Sequence, residues 1–388
     1  MRTKGVYRVQ FYIYTAISSF SMQMYSVVFN LFLRHYRISN LLIGEIVSSN
    51  LWGAAVLGSL LGLFADRIDK KKMLITLSLI QCTVLLMRAL SISAIWQIAG
   101  AFVSGAVYSA ILIVISASMI LSEKHKNKFI LFGSNFSISM IAGVLGNVTG
   151  GVMSDMFSER STLIVASLIY ATSLIALKSI PTLPAKQNKE KLSFNPFQRN
   201  IFWYYIISSM MVGFGAGLFI NFGNLILNDL FNMSTTSIGL IMAFTQIATG
   251  AGGAINHILE KRFGPTKVLL VCYTSVVPLM ISIAFVREQT IFSILYTLRF
   301  MLMNMVNPIF SVLIFSNIPA QMVSFTNGVG NLLNNSSRAL AALLFGYIVK
   351  ESSDYTKLLL ISTIFYALNA LLTYLLHKKL SFNPRYSS

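Results

Sequence analysis

The chain has 388 residues, of which 55% are hydrophobic and only 11% are charged. Soluble domains carry about 25% charged residues, so this composition excludes an ordinary soluble protein. The net charge of +18 would suit a nucleic-acid-binding protein, but the basic residues are spread between hydrophobic runs.

Twelve hydrophobic runs, each long enough for a transmembrane helix, follow one another along the chain. A helix needs about 20 apolar residues to cross the hydrocarbon core, and the backbone there must satisfy its own hydrogen bonds. We therefore predict an all-α integral membrane protein with twelve transmembrane helices. The runs span residues 11–33, 42–64, 73–91, 94–121, 129–152, 161–180, 201–226, 237–258, 268–286, 290–317, 324–349 and 357–376.

The basic residues between the runs fall mainly on one side of the membrane if the N-terminus is cytoplasmic. Of the 30 lysines and arginines, three lie well inside runs, six lie on the outer side or at the outer end of a run, and the remaining 21 lie on the cytoplasmic side or at the cytoplasmic end of a run. This positive-inside bias predicts a multi-pass protein of the plasma membrane with both termini cytoplasmic. Because topology and lipid headgroups account for the charge, we predict no nucleic-acid partner. The outer six are Arg34, Arg37, Arg160, Arg287, Lys350 and Lys357.

The chain contains an internal repeat on either side of a polar stretch. Residues 38–44 (Ile-Ser-Asn-Leu-Leu-Ile-Gly) align with residues 233–239 (Met-Ser-Thr-Thr-Ser-Ile-Gly), an offset of 195 that also places Arg67 on Arg262 without gaps. A parallel repeat of two six-helix units is one layout of secondary transporters. We predict an N-terminal six-helix bundle at 1–180, a cytoplasmic linker at 181–200 and a C-terminal six-helix bundle with a short cytoplasmic tail at 201–388.

The segment between the second and third runs carries a family motif. It reads Gly62-Leu63-Phe64-Ala65-Asp66-Arg67-Ile68-Asp69-Lys70-Lys71-Lys72. This resembles the signature loop of the major facilitator superfamily, usually Gly-x-x-x-Asp-Arg-x-Gly-Arg-Lys, with Asp69 standing where glycine is usual. A second copy, Lys261-Arg262-Phe263-Gly264, keeps the arginine and the glycine but lacks the acid. The resemblance covers nearly the whole chain and implies the fold of that superfamily.

The resemblance also implies a gating role for this loop. Its charged residues would form a cytoplasmic relay between helices that steadies the outward-open state, and Gly62 would allow a neighbouring helix to approach closely. The alternative is a solvated charge cluster that only sets topology. The residues concerned are Gly62, Asp66, Arg67, Lys71, Arg262 and Gly264.

A stretch in the fifth run resembles a second motif of the superfamily. Residues 146–151 read Gly-Asn-Val-Thr-Gly-Gly, where drug-efflux branches usually have Gly-Pro-x-x-Gly-Gly. Asn147 replaces the proline. Those branches also carry an arginine four residues before a glycine in the fourth helix, and here Ala101 precedes Gly105. The chain therefore resembles the efflux branches with a signature eroded at two points.

A polar stripe in the eleventh run is the main candidate for a substrate pocket. Amide and guanidinium groups are costly in lipid, so this face should line a cavity or meet another helix. Arg299 and Asn307 share a face of the tenth run, which suits a cavity and packing equally. A guanidinium fork matches carboxylate or phosphate, so the two arginines suggest an anionic or zwitterionic substrate. The stripe consists of Asn327, Asn331, Asn334, Asn335 and Arg338.

Polar residues of two other runs complete the predicted pocket. Gln23, Tyr25 and Asn30 lie in the first run, and Asn221 lies in the seventh. Among the 12 acidic residues only Glu45 falls inside a run. Proton-driven transport requires a group that takes up and releases protons, so Glu45 is the candidate for coupling. Alternatively it is a charge near the positive end of a helix dipole.

These features predict a secondary active transporter that moves a small organic solute by alternating access. We expect efflux, with uptake or exchange of an anionic metabolite as the alternative. A membrane enzyme or a non-transporting sensor is disfavoured because no cluster of nucleophiles, carboxylates or histidines appears. Cys82 and Cys272 lie inside runs, which supports no disulfide and no metal site. We predict no catalytic residue, no cofactor and a monomer whose partners are the solute and the bilayer.

Overall fold

The protein is helical throughout the part of the chain that its structure covers. The structure is a computed structural model that describes residues 2–58, 60, 68–122, 125–178 and 200–381. Within these ranges it has no strand. The prediction of an all-α membrane protein is confirmed.

Six helices form the first half of the described chain. The second of them continues into a π-helical turn at Ala54–Gly58. In chain order the helices are α1 (Arg2–His35), α2 (Asn40–Gly53), α3 (Lys70–Leu90), α4 (Ala94–Ser122), α5 (His125–Met156) and α6 (Glu159–Lys178).

Six further helices follow, the first of which is broken. Helix α7 has two segments, Asn200–Phe219 and Gly223–Phe231, joined by a 3-10 turn at Ile220–Phe222. A second 3-10 turn, Ser352–Asp354, precedes the last helix. The remaining helices are α8 (Thr235–Phe263), α9 (Pro265–Phe285), α10 (Gln289–Phe315), α11 (Ala320–Ile348) and α12 (Tyr355–Ser381).

Ten of these helical stretches are long and apolar enough to cross a membrane, judged over the described residues. Helices α8 and α11 are not among them, although both contain 29 residues and are therefore about 44 Å long. Both carry polar residues that lower their mean hydropathy, including the asparagines and Arg338 of α11. Each of the twelve predicted runs is helical over almost all of its described residues, but the eighth and eleventh are more polar than the other ten.

The predicted repeat is confirmed at the level of helix starts. Three helices of the second half begin 195 residues after their counterparts. The paired first residues are Asn40 and Thr235, Lys70 and Pro265, and Ala94 and Gln289.

The departure from the signature motif at Asp69 has a local explanation. The Asp69 side chain caps α3 by accepting a hydrogen bond from the Lys72 N–H at 2.9 Å. The equivalent position in the repeat is Gly264, with φ of 80°, a conformation that favours glycine, and Pro265 then begins α9. The two copies of the loop start their next helix in different ways.

The chain forms two compact units. Unit 1 consists of Met1–Lys189 and Leu227–Gln246, and unit 2 consists of Glu190–Ile226 and Ile247–Ser388. The end of α7 and the first part of α8 therefore pack with the first half of the chain. Residues 181–199 of the predicted linker lie outside the described residues, so the division into 1–180, 181–200 and 201–388 stays a prediction.

Each unit has an apolar core between its helices. In unit 1, α1 packs against α5 and α6, and a cluster that includes Phe11, Leu77 and Val114 is buried between α1, α3 and α4. In unit 2, α7 packs against α11 and α12, with Phe202 and Ile314 buried in its core. These cores fix the helices that carry the polar residues.

Candidate functional site

The N-terminal part of the α11 stripe is exposed in unit 2. Asn327 and Asn331 are both exposed, and the Asn331 side-chain N–H donates to Oδ1 of Asn327 at 3.2 Å. The Tyr205 hydroxyl of α7 donates to the same oxygen at 3.5 Å. Exposed amides in a transmembrane helix are tolerated where they face water or a cavity, since lipid offers no hydrogen-bond partner.

The middle of the stripe turns towards α7. The Asn334 side-chain N–H donates to the backbone oxygen of Ser209 at 2.8 Å. A β-carbon at Gly213 would lie 2.6 Å from the Asn334 backbone oxygen, so α7 and α11 approach closely there. Asn334 thus contacts the neighbouring helix α7. Asn334 and Asn335 are both half-buried.

Arg338 is the cation at the C-terminal part of the stripe. It is partly exposed, and its Nη2 donates to Oδ1 of Asn221 at 3.4 Å. Its Nε is buried and has no hydrogen-bond partner among the described residues. Asn221 lies in the 3-10 turn that interrupts α7. The structure therefore brings together two residues that the sequence assigned to the same pocket.

Arg299 of α10 is buried, with only 1% of its surface exposed. Its Nη2 donates to the hydroxyl of Tyr366 on α12. Its guanidinium carbon lies 4.7 Å from the ring centre of Phe219 and 5.1 Å from those of Phe300 and Tyr366. This enclosed position is compatible with both roles predicted for Arg299, so its place in the pocket stays a prediction.

The neighbouring amides of α10 form a short chain of hydrogen bonds. Asn307 is exposed, and its side-chain N–H donates to Oδ1 of Asn304 at 3.4 Å. Asn304 in turn donates to the Phe300 backbone oxygen at 2.9 Å and to the Thr249 hydroxyl of α8 at 3.4 Å. Asn304, which the sequence analysis overlooked, orients the predicted site residue Asn307.

In unit 1 the predicted residues of α1 lie mainly in packing positions. Tyr25 is buried, and its hydroxyl donates to the Leu85 backbone oxygen at 3.2 Å, while its ring stacks on Phe29 at 5.3 Å. Asn30 is buried as well, and Gln23 is half-buried. The pocket roles of Gln23, Tyr25 and Asn30 stay predictions.

The signature-loop residues are only partly described. Gly62, Asp66 and Arg67 lie outside the described residues, so their gating role stays a prediction. The Lys71 Nζ donates to the Lys178 backbone oxygen at 2.5 Å and so joins α3 to the end of α6. Arg262 is exposed, with its guanidinium carbon 5.4 Å from the Phe263 ring centre.

Glu45 lies in the second turn of α2, which begins at Asn40. Its side chain is half-buried, and no hydrogen bond or ion pair connects it to a described residue. This position is compatible with a helix-start charge and with proton exchange, so the coupling role stays a prediction.

One polar contact of unit 1 was missed by the sequence analysis. The Arg34 Nη2 at the end of α1 donates to Oδ1 of Asn40 at 2.7 Å and forms an ion pair with Oδ2 of Asp229 at 2.8 Å. Arg34 and Asp229 are 195 residues apart and so occupy equivalent positions of the repeat. Opposite charges at equivalent positions were the available signal.

Asp155 forms a second polar contact of unit 1 that was not predicted from the sequence. Its two carboxylate oxygens accept the backbone N–H groups of Thr235 at 3.1 Å and Thr236 at 2.8 Å. These amides begin α8, where four N–H groups have no partner within the helix and the dipole favours a negative charge. Asp155 thus caps α8 from the end of α5.

The efflux-like stretch of α5 is a packing surface in unit 1. The side-chain N–H of Asn147, which stands in place of the usual proline, donates to Oε1 of Gln246 on α8 at 3.1 Å. A β-carbon at Gly150 would lie 2.8 Å from the Met24 backbone oxygen of α1, and one at Gly151 would lie 2.6 Å from the Thr235 backbone oxygen. The small residues of this stretch therefore permit close contacts with α1 and α8.

The polar side chains of unit 2 are of types that form hydrogen bonds. Over the residues that the structure describes, no group of three or more His, Cys, Asp or Glu side chains is placed to hold a metal ion. What unit 2 offers instead is hydrogen-bonding amides, a partly exposed guanidinium and a helix break.

Comparisons with known proteins identify the family. No curated protein matches the chain. Among solved structures, the nucleoside transporter NupG superposes with a TM-score of 0.78 at 15% identity, covering 97% of this chain and 100% of that chain. A bacterial homologue of the human lysosomal transporter Spinster, in an inward-facing and unoccupied conformation, gives a TM-score of 0.76 at 12% identity, covering 96% of each chain. At these identities the likeness shows the fold.

The sequence itself carries the family pattern as well. Residues 11–342 match the model of the Major Facilitator Superfamily, which spans most of the 388 residues. Membership of this family, together with the apolar helices, indicates a multi-pass membrane protein that acts in transmembrane transport. The chain therefore belongs to the major facilitator superfamily.

Proposed function

We propose that this protein is a secondary active transporter that moves a small organic solute across the plasma membrane by alternating access. The observation that carries the proposal is the exposed amide pair Asn327 and Asn331 on α11, a helix of 29 residues that the proposal places across the membrane. Lipid would leave these groups without partners. A passage that contains water and solute supplies hydrogen-bond partners for both amides.

The break in α7 supports a solute site on the same surface of unit 2. The turn Ile220–Phe222 frees backbone groups in a long transmembrane stretch, and such breaks accompany solute sites in secondary transporters. Asn221 of this turn accepts a hydrogen bond from Arg338. The turn and the α11 stripe together supply donors, acceptors and one cation for a polar solute.

Export is the direction that we propose. Its support is the resemblance of residues 146–151 to the efflux motif, in which Asn147 now bonds Gln246. The second candidate is uptake or exchange of an anionic metabolite. That candidate is favoured by Arg299 and Arg338, for which no ion pair with a described residue exists. Glu45 is the proposed proton-coupling group, and the proposed topology places both termini in the cytoplasm around a monomeric transporter.

Direction and coupling are tested together in vesicles. We expect energised inside-out membrane vesicles that contain the protein to accumulate its solute, and right-side-out vesicles to exclude it. The panel contains one organic anion, one organic cation and one nucleoside. Collapse of the pH gradient is expected to abolish accumulation by the wild type.

The matched pair of variants for coupling is Glu45→Gln and Glu260→Gln. Both residues are half-buried acids within described helices, but only Glu45 is assigned to coupling. Glu45→Gln is expected to lower gradient-driven accumulation about ten-fold, as for loss of a proton-transfer group, while solute exchange without a gradient continues. Equal accumulation in the two variants would contradict the assignment of Glu45, and accumulation by right-side-out vesicles would contradict export.

A further inference from the structure

Two arginines of unit 2 contact neighbouring residues of α7. The guanidinium carbon of Arg299 on α10 lies 4.7 Å from the Phe219 ring centre, and Arg338 on α11 donates to Asn221, two residues further along the chain. Tyr296 lies one helical turn before Arg299 on α10, and its ring centre lies 6.4 Å from that of Phe219. Two cations thus share one buried region in a transmembrane bundle, where even a single charge is costly.

No described carboxylate neutralises this pair. The described acidic residues of unit 2 are Glu260, Glu288, Glu351 and Asp354. Glu288 caps α10 by accepting the Ile291 N–H at 2.6 Å, and these backbone bonds hold the pKa of Glu288 below its usual range. Asp354 pairs with Lys357 at 2.7 Å. These acids therefore lie at helix ends, and none of them forms a described ion pair with Arg299 or Arg338.

The aromatic rings around Arg299 stabilise its charge without cancelling it. A cation over the face of an aromatic ring is attracted to it, and three rings lie within 5.1 Å of the guanidinium carbon. The rings are neutral, so the region keeps the positive charge of both arginines. A negative group is what would compensate it.

Three hydrogen-bond donors in the same region lack an acceptor. Nε of Arg299, Nε of Arg338 and the Tyr296 hydroxyl are buried, and none has a partner among the described residues. Arg299 and Tyr296 are each only 1% exposed, so water is not their ordinary partner. Buried donors left unpaired are unfavourable, and an anion accepts from such donors most strongly.

We infer that Arg338, Arg299 and Tyr296 form a binding site for one small anionic group, a carboxylate or another oxyanion of similar size. Arg338, the only partly exposed member of the three, is the residue through which the anion enters. Two sources share this chemistry, namely the charged end of the transported solute and a free inorganic anion. The solute source rests on the proposed function, whereas the binding site itself does not.

Direct binding to the purified full-length chain tests the inference without transport. The probes are radiolabelled acetate, phosphate and chloride, measured by equilibrium binding in detergent at constant ionic strength. We expect saturable binding of one anion per chain, displaced by unlabelled acetate but not by neutral acetamide. Saturable binding of acetate indicates an organic source, and binding restricted to phosphate indicates the inorganic one. Binding restricted to chloride would contradict an oxyanion site.

Three variants locate the site. Tyr296→Phe removes only a hydroxyl and is expected to weaken binding about ten-fold. Arg338→Lys keeps the charge but loses the guanidinium fork, with a similar loss expected, and Arg338→Gln is expected to abolish saturable binding. Lys350→Gln removes an exposed cation of the same unit and is the matched control, with unchanged affinity expected.

The outcomes separate this site from the proposed transport function. The inference is wrong if the wild type binds no probe saturably, or if Tyr296→Phe and Arg338→Gln bind like Lys350→Gln. Anion binding by a protein that transports nothing would support the site and contradict the transport proposal. Transport of neutral or cationic solutes by a protein that binds no anion would support the transport proposal and contradict the anion site.

Discussion

Gly105→Ala is expected to prevent α2 and α4 from packing, with the loss of most folded protein. A β-carbon at Gly105 would overlap the backbone oxygen of Asn50, and one at Gly53 would overlap the backbone oxygen of Phe102. Both obstacles are backbone atoms, which a rotamer change cannot move. Because the two contacts are reciprocal between the same helices, we expect destabilisation of about 3 kcal/mol or more, above the usual range for overpacking.

The readouts are the yield of monodisperse protein in detergent and the midpoint of thermal unfolding. The matched control is Gly133→Ala on α5, where no heavy atom lies within 4 Å of the added carbon. Alanine favours a helix over glycine by about 1 kcal/mol, so the control should unfold at the same temperature as the wild type or higher. A Gly105→Ala protein with the yield and midpoint of Gly133→Ala would refute the close packing.

Asp155→Ala is expected to release the start of α8 from the end of α5. The variant removes the acceptor of the Thr235 and Thr236 N–H groups and the negative charge at a helix N-terminus. Loss of an N-cap costs about 0.5–2 kcal/mol. Amide hydrogen exchange at residues 235–238 is therefore expected to become about ten-fold faster.

Hydrogen–deuterium exchange with mass spectrometry measures this effect locally. Asp155→Asn keeps one oxygen acceptor but loses the charge, so its exchange rate should fall between those of the wild type and Asp155→Ala. Peptides from α12 serve as the internal reference, since nothing in the variant touches that helix. An unchanged exchange rate at Thr235 and Thr236 in Asp155→Ala would show that another group caps α8.

The fold could be predicted from the sequence because the bilayer permits few alternatives. A hydrophobic run of sufficient length in lipid must be a helix, and the offset of 195 residues recurs in the helix starts, for example at Lys70 and Pro265. Helices α8 and α11 are not among the candidate membrane spans because they carry more polar residues. Hydropathy alone does not reveal what those polar residues contact.

The candidate site was predictable only in part. Periodicity placed Arg338 and the asparagines on one face of α11, and the structure joins Arg338 to Asn221. Periodicity does not say which helix faces that side, so it could not predict that Asn334 and Tyr25 donate to backbone oxygens of neighbouring helices. The ion pair of Arg34 with Asp229 is indicated in the sequence only by opposite charges at equivalent positions of the repeat.

The most direct test of the account is solute flux through Arg338 variants in proteoliposomes. Wild type, Arg338→Gln and Lys350→Gln are reconstituted at equal density, and counterflow of the solute panel is measured. We predict saturable flux of at least one small organic solute in the wild type and in Lys350→Gln, and a reduction of about ten-fold or more in Arg338→Gln, as for the loss of one charged contact to the solute. Equal flux in all three proteins would contradict the role of Arg338 in the solute site. No saturable flux in the folded wild type would contradict transport itself.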